Sequence, residues 1–397
     1  MKTILSFLLV FTFSNLTIAQ TTAIPDANFE QALINLGLDA TIDGQVLTAN
    51  IDTLTSLDVS FKNISDLTGI EAFIALIYFN CRYNQITNID VTQNTALTSL
   101  ICAQNYLTSL DVTQNIILTD FQCYQNQLTS LDVTQNNTLS KLRCDGNSLT
   151  SLDITQNTSL TYLDCYENNL TSLDVTQNTV LTHLNCFYNQ LTSLDLTQNT
   201  ALSILECSIN NLTSLDVTQN TALTDLGCTN NLLTGLDVTQ NTSLTILECY
   251  YNNELTCLNV KNGNNTNFLL FVAIGNPLLT CIEVDNVAYS TTNWTNIDPA
   301  SSFSTWCNNP CSVGIEENSL SNLSLYPNPT TGNITIDLGE VKQGVKATLT
   351  NSLGQVVLTQ NYVSTTYINL NLAYPNGLYF LTLATAREVI SKKIIKQ

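Results

Sequence analysis

LTDFQCYQNQLTSLDVTQNNT, residues Leu118 to Thr138, is one copy of a phrase that recurs every 21 residues from Leu76 to about Asn252. Cysteines mark the repeat at Cys81, Cys102, Cys123, Cys144, Cys165, Cys186, Cys207, Cys228 and Cys249. A fixed period of this length signals a solenoid, in which each repeat buries its apolar edges only against its neighbours. Leu118, Phe121, Cys123, Leu128, Leu131 and Val133 supply the inward positions of one coil. Stacked coils are expected ~4.8 Å apart, the spacing of strands in a sheet. Asn126 and Asn136 fall at the corners, where side-chain amides can satisfy backbone groups that a turn leaves unpaired. So short a repeat has little room for a helix. A parallel sheet is predicted on one face and extended or short-strand structure on the other.

Leu118, Phe121, Cys123, Asn126 and Leu128 follow the pattern L-x-x-L-x-L-x-x-N-x-L, and Leu128, Leu131, Val133 and Asn136 repeat its first part. In this the array resembles the leucine-rich-repeat family, and its nested half-repeats resemble a bacterial subclass with 21-residue units. The resemblance implies a mainly β solenoid and is silent on ligand.

The array at 76–260 is flanked by less regular segments. Residues 1–19 read as a secretory signal, with Lys2 at the positive end, Ile4 to Phe13 apolar, and Thr17 and Ala19 small. Residues 20–75 read as an N-terminal cap with a divergent first repeat. There Asp26 is placed to N-cap a short helix whose Phe29, Leu33 and Leu36 share one face before Gly37. After Cys249 one inserted residue loosens the period, yet Phe268 to Asn276 still reads as a coil with Ala273 in the cysteine column. Residues 261–311 are taken as this last coil and a C-terminal cap, and 312–322 as a polar linker.

From 323 to 397 alternating runs at Asn333–Leu338, Lys346–Thr350, Gln355–Leu358, Tyr367–Leu370, Gly377–Leu383 and Glu388–Ile395 predict about seven strands in a small β-sandwich. Tyr326-Pro327-Asn328-Pro329, Asn351 to Gln355, Gly377-Leu378-Tyr379 and the basic end Lys392, Lys393 and Lys396 resemble the sorting domain of proteins exported by the type IX secretion system. That resemblance implies the secretion machinery as a partner, a bacterium of the Bacteroidota type, and a destination at the outer cell surface or in the medium.

Charge narrows the partners. Residues 21–319 carry 5 basic and 29 acidic side chains, whereas residues 320–397 carry 6 basic and 3 acidic. So acidic a body disfavours nucleic acid and anionic lipid, both of which call for clustered Lys and Arg. No further stretch is apolar enough to cross a membrane. Nine cysteines share one repeat position and are expected as buried free thiols acting as small hydrophobes. Cys257, Cys281, Cys307 and Cys311 lie past the array and are disulfide candidates, with Cys281–Cys307 favoured although connectivity stays open.

Function is sought where the copies differ. The half LTSLDVTQN barely changes, while the outward positions around the cysteines vary. Tyr124, Lys141, Arg143, Tyr162, Tyr166, His183, Phe187 and Tyr188 fall in these columns, on the concave sheet face that leucine-rich-repeat proteins use for binding. They are the candidate contact residues for a protein or glycan, because aromatic clusters favour interfaces. The alternatives are a structural surface component that spaces the sorting tail and, third, a carbohydrate-active enzyme. Asp145 with Asp164 imitates a glycosidase pair, but an open sheet face is expected to raise the pKa of neither carboxyl. His183 is the one histidine, and no metal-binding, phosphate-loop or nucleophile-elbow motif is present. The expectation is therefore no catalysis, cofactor or metal. Asp90, Asp111, Asp132, Asp153, Asp174, Asp195, Asp216 and Asp237 form a column whose repulsion must be relieved, by neighbouring Ser and Thr hydroxyls or by a row of Ca²⁺ ions. Hydrogen bonding is favoured, since one Asp and one Thr per coil fall short of six to eight oxygen ligands.

Overall fold

A computed structural model describes residues 19–307, 311, 323–351, 355–384 and 389–397. The secretory signal read at 1–19, except its last residue, and the linker read at 312–322 lie outside the described residues. The chain divides into two compact units, Met1–Val313 and Gly314–Gln397.

The first unit is the solenoid. Its spine is an 11-stranded parallel sheet of three-residue strands, from Ser56–Asp58 at one edge to Leu270–Val272 at the other. Phe121 pairs with Leu142, Leu142 with Leu163, and Leu163 with Leu184, so the register is the sequence period itself. The middle residue of each strand points inward because successive side chains alternate across a strand. Leu118, Phe121, Cys123, Leu128, Leu131 and Val133 are all buried and join one continuous core with their counterparts in other coils. The nine array cysteines are free and fully buried. Loss of hydration pushes their pKa values well up, as at Cys144, so these thiols are inert packing groups.

Both asparagine positions form ladders. Asn126 Nδ2 donates to the carbonyls of Cys123 in its own coil and Cys102 in the preceding one, at 3.0 and 3.1 Å. Its Oδ1 accepts the N–H of Leu107 at 3.0 Å. Asn136 Nδ2 donates to Val112 O and Asn115 O, both at 2.9 Å. Each amide thus ties one coil to the next where the backbone turns. The face opposite the large sheet is extended for most of its length. It gains a four-stranded sheet only at the far end, from Gly235–Asp237 to Ser302–Ser304.

The ends are closed as a solenoid requires. Ala27–Asn35 is a helix whose N-cap Asp26 accepts the N–H groups of Asn28 and Phe29. The other Asp26 oxygen accepts N–H groups of Ser65 and Asp66 and the Ser65 hydroxyl, binding the cap to the first coils. Phe29 and Leu33 are buried, but Leu36 is 52% exposed, because the helix ends at Asn35 and leaves it on the capping turn. At the far end Phe271 stacks on Trp294 at 4.1 Å, and Ala273 is buried in line with the cysteine column. Trp306 is exposed. Disulfides join Cys257 to Cys311 and Cys281 to Cys307.

The second unit is an antiparallel β region of five strands, Ser324–Tyr326, Asn333–Asn351, Val356–Asn371, Gly377–Ala384 and Val389–Lys396. The sequence count of about seven is corrected. The runs at 333–338 and 346–350 belong to one long strand, as do those at 355–358 and 367–370 apart from Gln355. A register break between the Asp337 and Lys342 pairs interrupts the ladder without ending either strand. Ile334 and Ile336 on one side of the break and Ala347 and Leu349 on the other enter a single buried cluster. Asn328 of the Pro-Asn-Pro motif donates to Lys393 O and accepts the Ile395 N–H, both at 2.8 Å, clipping the motif to the last strand. Pro327 and Pro329 are exposed, while Tyr379 is buried with its hydroxyl donating to Pro375 O. Lys393 is exposed, Lys392 is half-buried, and the Lys396 ammonium donates to Tyr374 O.

Candidate functional site on the open face of the sheet

Three outward columns line the open face: the first and third residues of each strand, and the residue after each cysteine. Because the register repeats every 21 residues, Lys141, Tyr162 and His183 are direct neighbours, as are Arg143, Asp164 and Asn185. Sequence reasoning took up the first column and the residue after cysteine. From the third it drew only Arg143 and, as a glycosidase imitation, Asp164. It does not single out the rest of that column, Asn185, Glu206, Gly227 and Glu248 among them. Their signal was that they alternate around buried leucines, as Ile204 and Glu206 do around Leu205.

Charge concentrates at the middle coils. Arg143 Nε donates to Asp164 Oδ2 at 3.0 Å and lies 3.6 Å from Asp145 Oδ1. Its guanidinium covers the Tyr124 ring at 4.3 Å. Lys141 Nζ stands over the Tyr162 ring at 5.6 Å, and Tyr162 stacks flat on His183 at 4.2 Å. Asp164 also accepts the Tyr162 hydroxyl at 2.8 Å and hydrogen-bonds His183 Nε2 at 3.2 Å. Stacked cations and rings of this kind hold one another in place.

The expectation that neither carboxyl would have a raised pKa is overturned at Asp145 and holds at Asp164. Asp145 is 1% and Asp164 3% exposed, with Arg143 beside both and Tyr162 and His183 against Asp164. Burial lifts Asp145 to about 6 despite the nearby Arg143 charge and the Tyr166 hydroxyl. Neither of its oxygens accepts a hydrogen bond of good geometry. At Asp164 burial pushes the same way, but hydrogen bonds from His183 and Tyr162 and the Arg143 charge outweigh it and hold the carboxyl low. Two acids of one type are thus driven apart by their surroundings. The Tyr162 and Tyr166 hydroxyls rise to about 12, through burial and the adjoining carboxylates.

The predicted aromatic patch is therefore divided. Tyr124 and Tyr162 are capped by cations. Tyr166 and Phe187 instead border a depression of about 290 Å³, shared with Glu206, Ser208, Thr229, Glu248 and Tyr250. Tyr188 is 55% exposed in a left-handed backbone position, its ring tilted against that of Phe187 at 6.1 Å.

The invariant half forms a different surface, a groove of about 590 Å³ along Asp90, Asp111 and Asp132. Each carboxylate there is engaged within its own coil. Asp132 Oδ1, for example, accepts both the N–H and the hydroxyl of Thr134, at 2.9 and 2.7 Å. The same hydroxyl and N–H contacts lower the pKa of Asp111, Asp153, Asp174 and Asp195. Repulsion along the column is thus offset by local donors.

Comparison with known proteins places both units. Residues 324–397 match the model of a secretion-system C-terminal sorting domain. A 71-residue stretch is 41% identical to Internalin J of Listeria monocytogenes serotype 4b (strain F2365), covering 18% of this chain and only 8% of that protein. The chain is also similar to the crystal structure of an internalin (inlF) from Listeria monocytogenes strain 4b F2365. The TM-score there is 0.54 at 21% identity, over 75% of this chain and 100% of that one. The functional domain of InlJ from Listeria monocytogenes, which includes a cysteine ladder, superposes with a TM-score of 0.44 at 24% identity, covering 96% and 100%. Among the described residues no helix is long and apolar enough to cross a membrane. The tail marks the chain for export to the cell surface or beyond. The chain thus has the fold of a leucine-rich-repeat solenoid and carries a C-terminal sorting domain of the type IX secretion system.

Proposed function

We propose that this exported protein is a recognition module that binds a protein partner through the open face of its 11-stranded sheet, without catalysis. The observation that carries the reading is the cluster of Lys141, Arg143, Tyr162 and His183 on three successive coils, organised around buried Asp164. A solenoid needs none of these groups for stacking, since other coils fill the same positions with Ser, Ile or Gly. Arginine and tyrosine are among the residue types enriched at protein interfaces. A face carrying both signs of charge suits a protein surface better than a neutral glycan, the runner-up ligand.

Several features argue against chemistry. Arg143 lies close to both Asp145 and Asp164, where a glycosidase pair would need room for a sugar and a water. Among the described residues no hydroxyl or thiol is hydrogen-bonded to His183 in the way a nucleophile would be. The test is binding to protein and glycan arrays by the wild type and by a Lys141→Ala/His183→Ala variant, with circular dichroism confirming the fold. Loss of a protein ligand in the variant supports the reading. Unchanged binding, or glycan binding alone, overturns it.

A further inference from the structure

Three coils further along the face the character reverses. Glu206 and Glu248 project from strands separated by Asp225–Gly227, about 10 Å apart at the backbone given the strand spacing. Gly227, in register between them, brings no side chain. The Glu206 carboxylate leans into the space it leaves, so that a Cβ built on Gly227 would meet Glu206 Oε2 at 2.0 Å. The result is the depression of about 290 Å³, walled by Tyr166, Phe187 and Tyr250.

Three observations mark this notch as unfinished. No cation pairs with either glutamate among the described residues, and the nearest support for Glu206 is the Ser208 N–H at 3.0 Å. Glu248 is pushed upward by burial and by the Glu206 charge, so the two acids repel across the gap. Thr229, 5% exposed and lining the notch, has a hydroxyl with no hydrogen-bond partner. A buried polar group without a partner is costly and calls for explanation.

We propose that this notch receives one arginine side chain of the protein partner, its guanidinium flanked by Glu206 and Glu248 against the aromatic walls. The inference rests on the recognition reading given above. A guanidinium is flat, carries five donors in a fixed fork, stacks on rings and is more weakly hydrated than an ammonium. It can therefore serve two carboxylates and one hydroxyl at once while covering Tyr166, Phe187 or Tyr250. The surrounding unit is strongly acidic, with 5 basic against 29 acidic residues over 21–319, which steers a basic segment towards it.

The probe is N-acetyl-arginine amide, titrated against the full chain by ligand-observed NMR, with N-acetyl-lysine amide and a neutral oligosaccharide in parallel. Arginine amide is expected to bind more tightly than lysine amide. Its affinity should fall roughly tenfold or more in Glu206→Gln/Glu248→Gln. Gly227→Ala, which keeps the net charge but displaces the Glu206 carboxylate, should also weaken it. Asp195→Asn/Asp216→Asn removes the same two charges from the other face and should leave binding unchanged. No arginine binding by the wild type, equal losses in the two charge variants, or binding of the oligosaccharide alone would each overturn the proposal. The Lys141→Ala/His183→Ala variant should still bind arginine amide. Failure of the recognition reading therefore shows in the array experiment and failure of the notch in this one.

Discussion

Arg143 Nε donates to Asp164 Oδ2 at 3.0 Å across a coil boundary, and this bond gives the most polar region of the sheet face its order. It joins strands that sequence places 21 residues apart. It also leaves Asp145, two residues beyond Arg143, as the member of the group that accepts no hydrogen bond.

Removing Arg143 leaves two buried carboxylates without their cation. Arg143→Met is expected to cost about 3–5 kcal/mol, the usual penalty for breaking a buried pair from one side. Urea unfolding measures it. Adding Asp164→Asn to the variant should recover part of the loss, and an additive double mutant would show that the two residues are not coupled.

Asp145 should make stability depend on pH in the sense opposite to most acids. Its folded pKa is raised to about 6, above the unfolded value, so between roughly pH 4 and 6 the native state binds the extra proton. Stability from this group is present at low pH and falls as pH rises through that window. Asp145→Asn should therefore stabilise the protein at pH 8 by about 1–3 kcal/mol and have little effect near pH 4.5. Thermal melts of both proteins at the two pH values check the sign.

The aspartate column behaves in the usual sense. Asp111, Asp153, Asp174 and Asp195 are held low mainly by the Thr hydroxyl and N–H two residues on. Their contribution is present above the ordinary carboxyl pKa and lost as pH falls through the depressed folded value. Thr155→Val removes one hydroxyl donor, and an NMR titration should show Asp153 returning towards its ordinary pKa. Because the local donors already serve these carboxylates, EDTA should leave the melting temperature unchanged. A fall of several degrees would reveal bound cations.

Asn126 tests the amide ladder. Asn126→Leu keeps the volume but leaves the Leu107 N–H without its acceptor, while Cys102 O and Cys123 O each keep one amide donor, from Asn105 and Asn147. Leaving that one backbone donor unpaired is expected to cost about 1–3 kcal/mol. Hydrogen exchange should report the loss first at Leu107, whose N–H is released.

How much of this was legible depended on whether a residue answers to the period or to its neighbours. The inward set, the cysteine column, both amide ladders and the helical cap at Asp26 could be read because stacking imposes the same demand on every coil. The tail was read less well. Alternation reveals where a strand runs, but a register break as at Asp337 and Lys342 looks in sequence like the end of one strand and the start of another. The perturbation of Asp145 was not legible at all. Its surroundings combine Arg143 of its own coil with Tyr166 of the next, and burial is a property of that assembly.

The repeat by itself determined the solenoid, its parallel register and the division between a constant and a variable half, since a 21-residue unit can bury its apolar edges in only one way. Tertiary structure alone decided what the variable half became. It set Arg143 against Asp164, laid Tyr162 on His183, and let Glu206 lean into the space beside Gly227. It also held Gln125, Glu167, Tyr188 and even β-branched Ile209 in left-handed backbone positions. Non-glycine residues seldom choose that conformation. Here the backbone N–H of each, such as that of Gln125, is held by the next coil's carbonyl. The constant half repeats one short-range preference in every copy; contacts between copies decide what the differing residues of the variable half become.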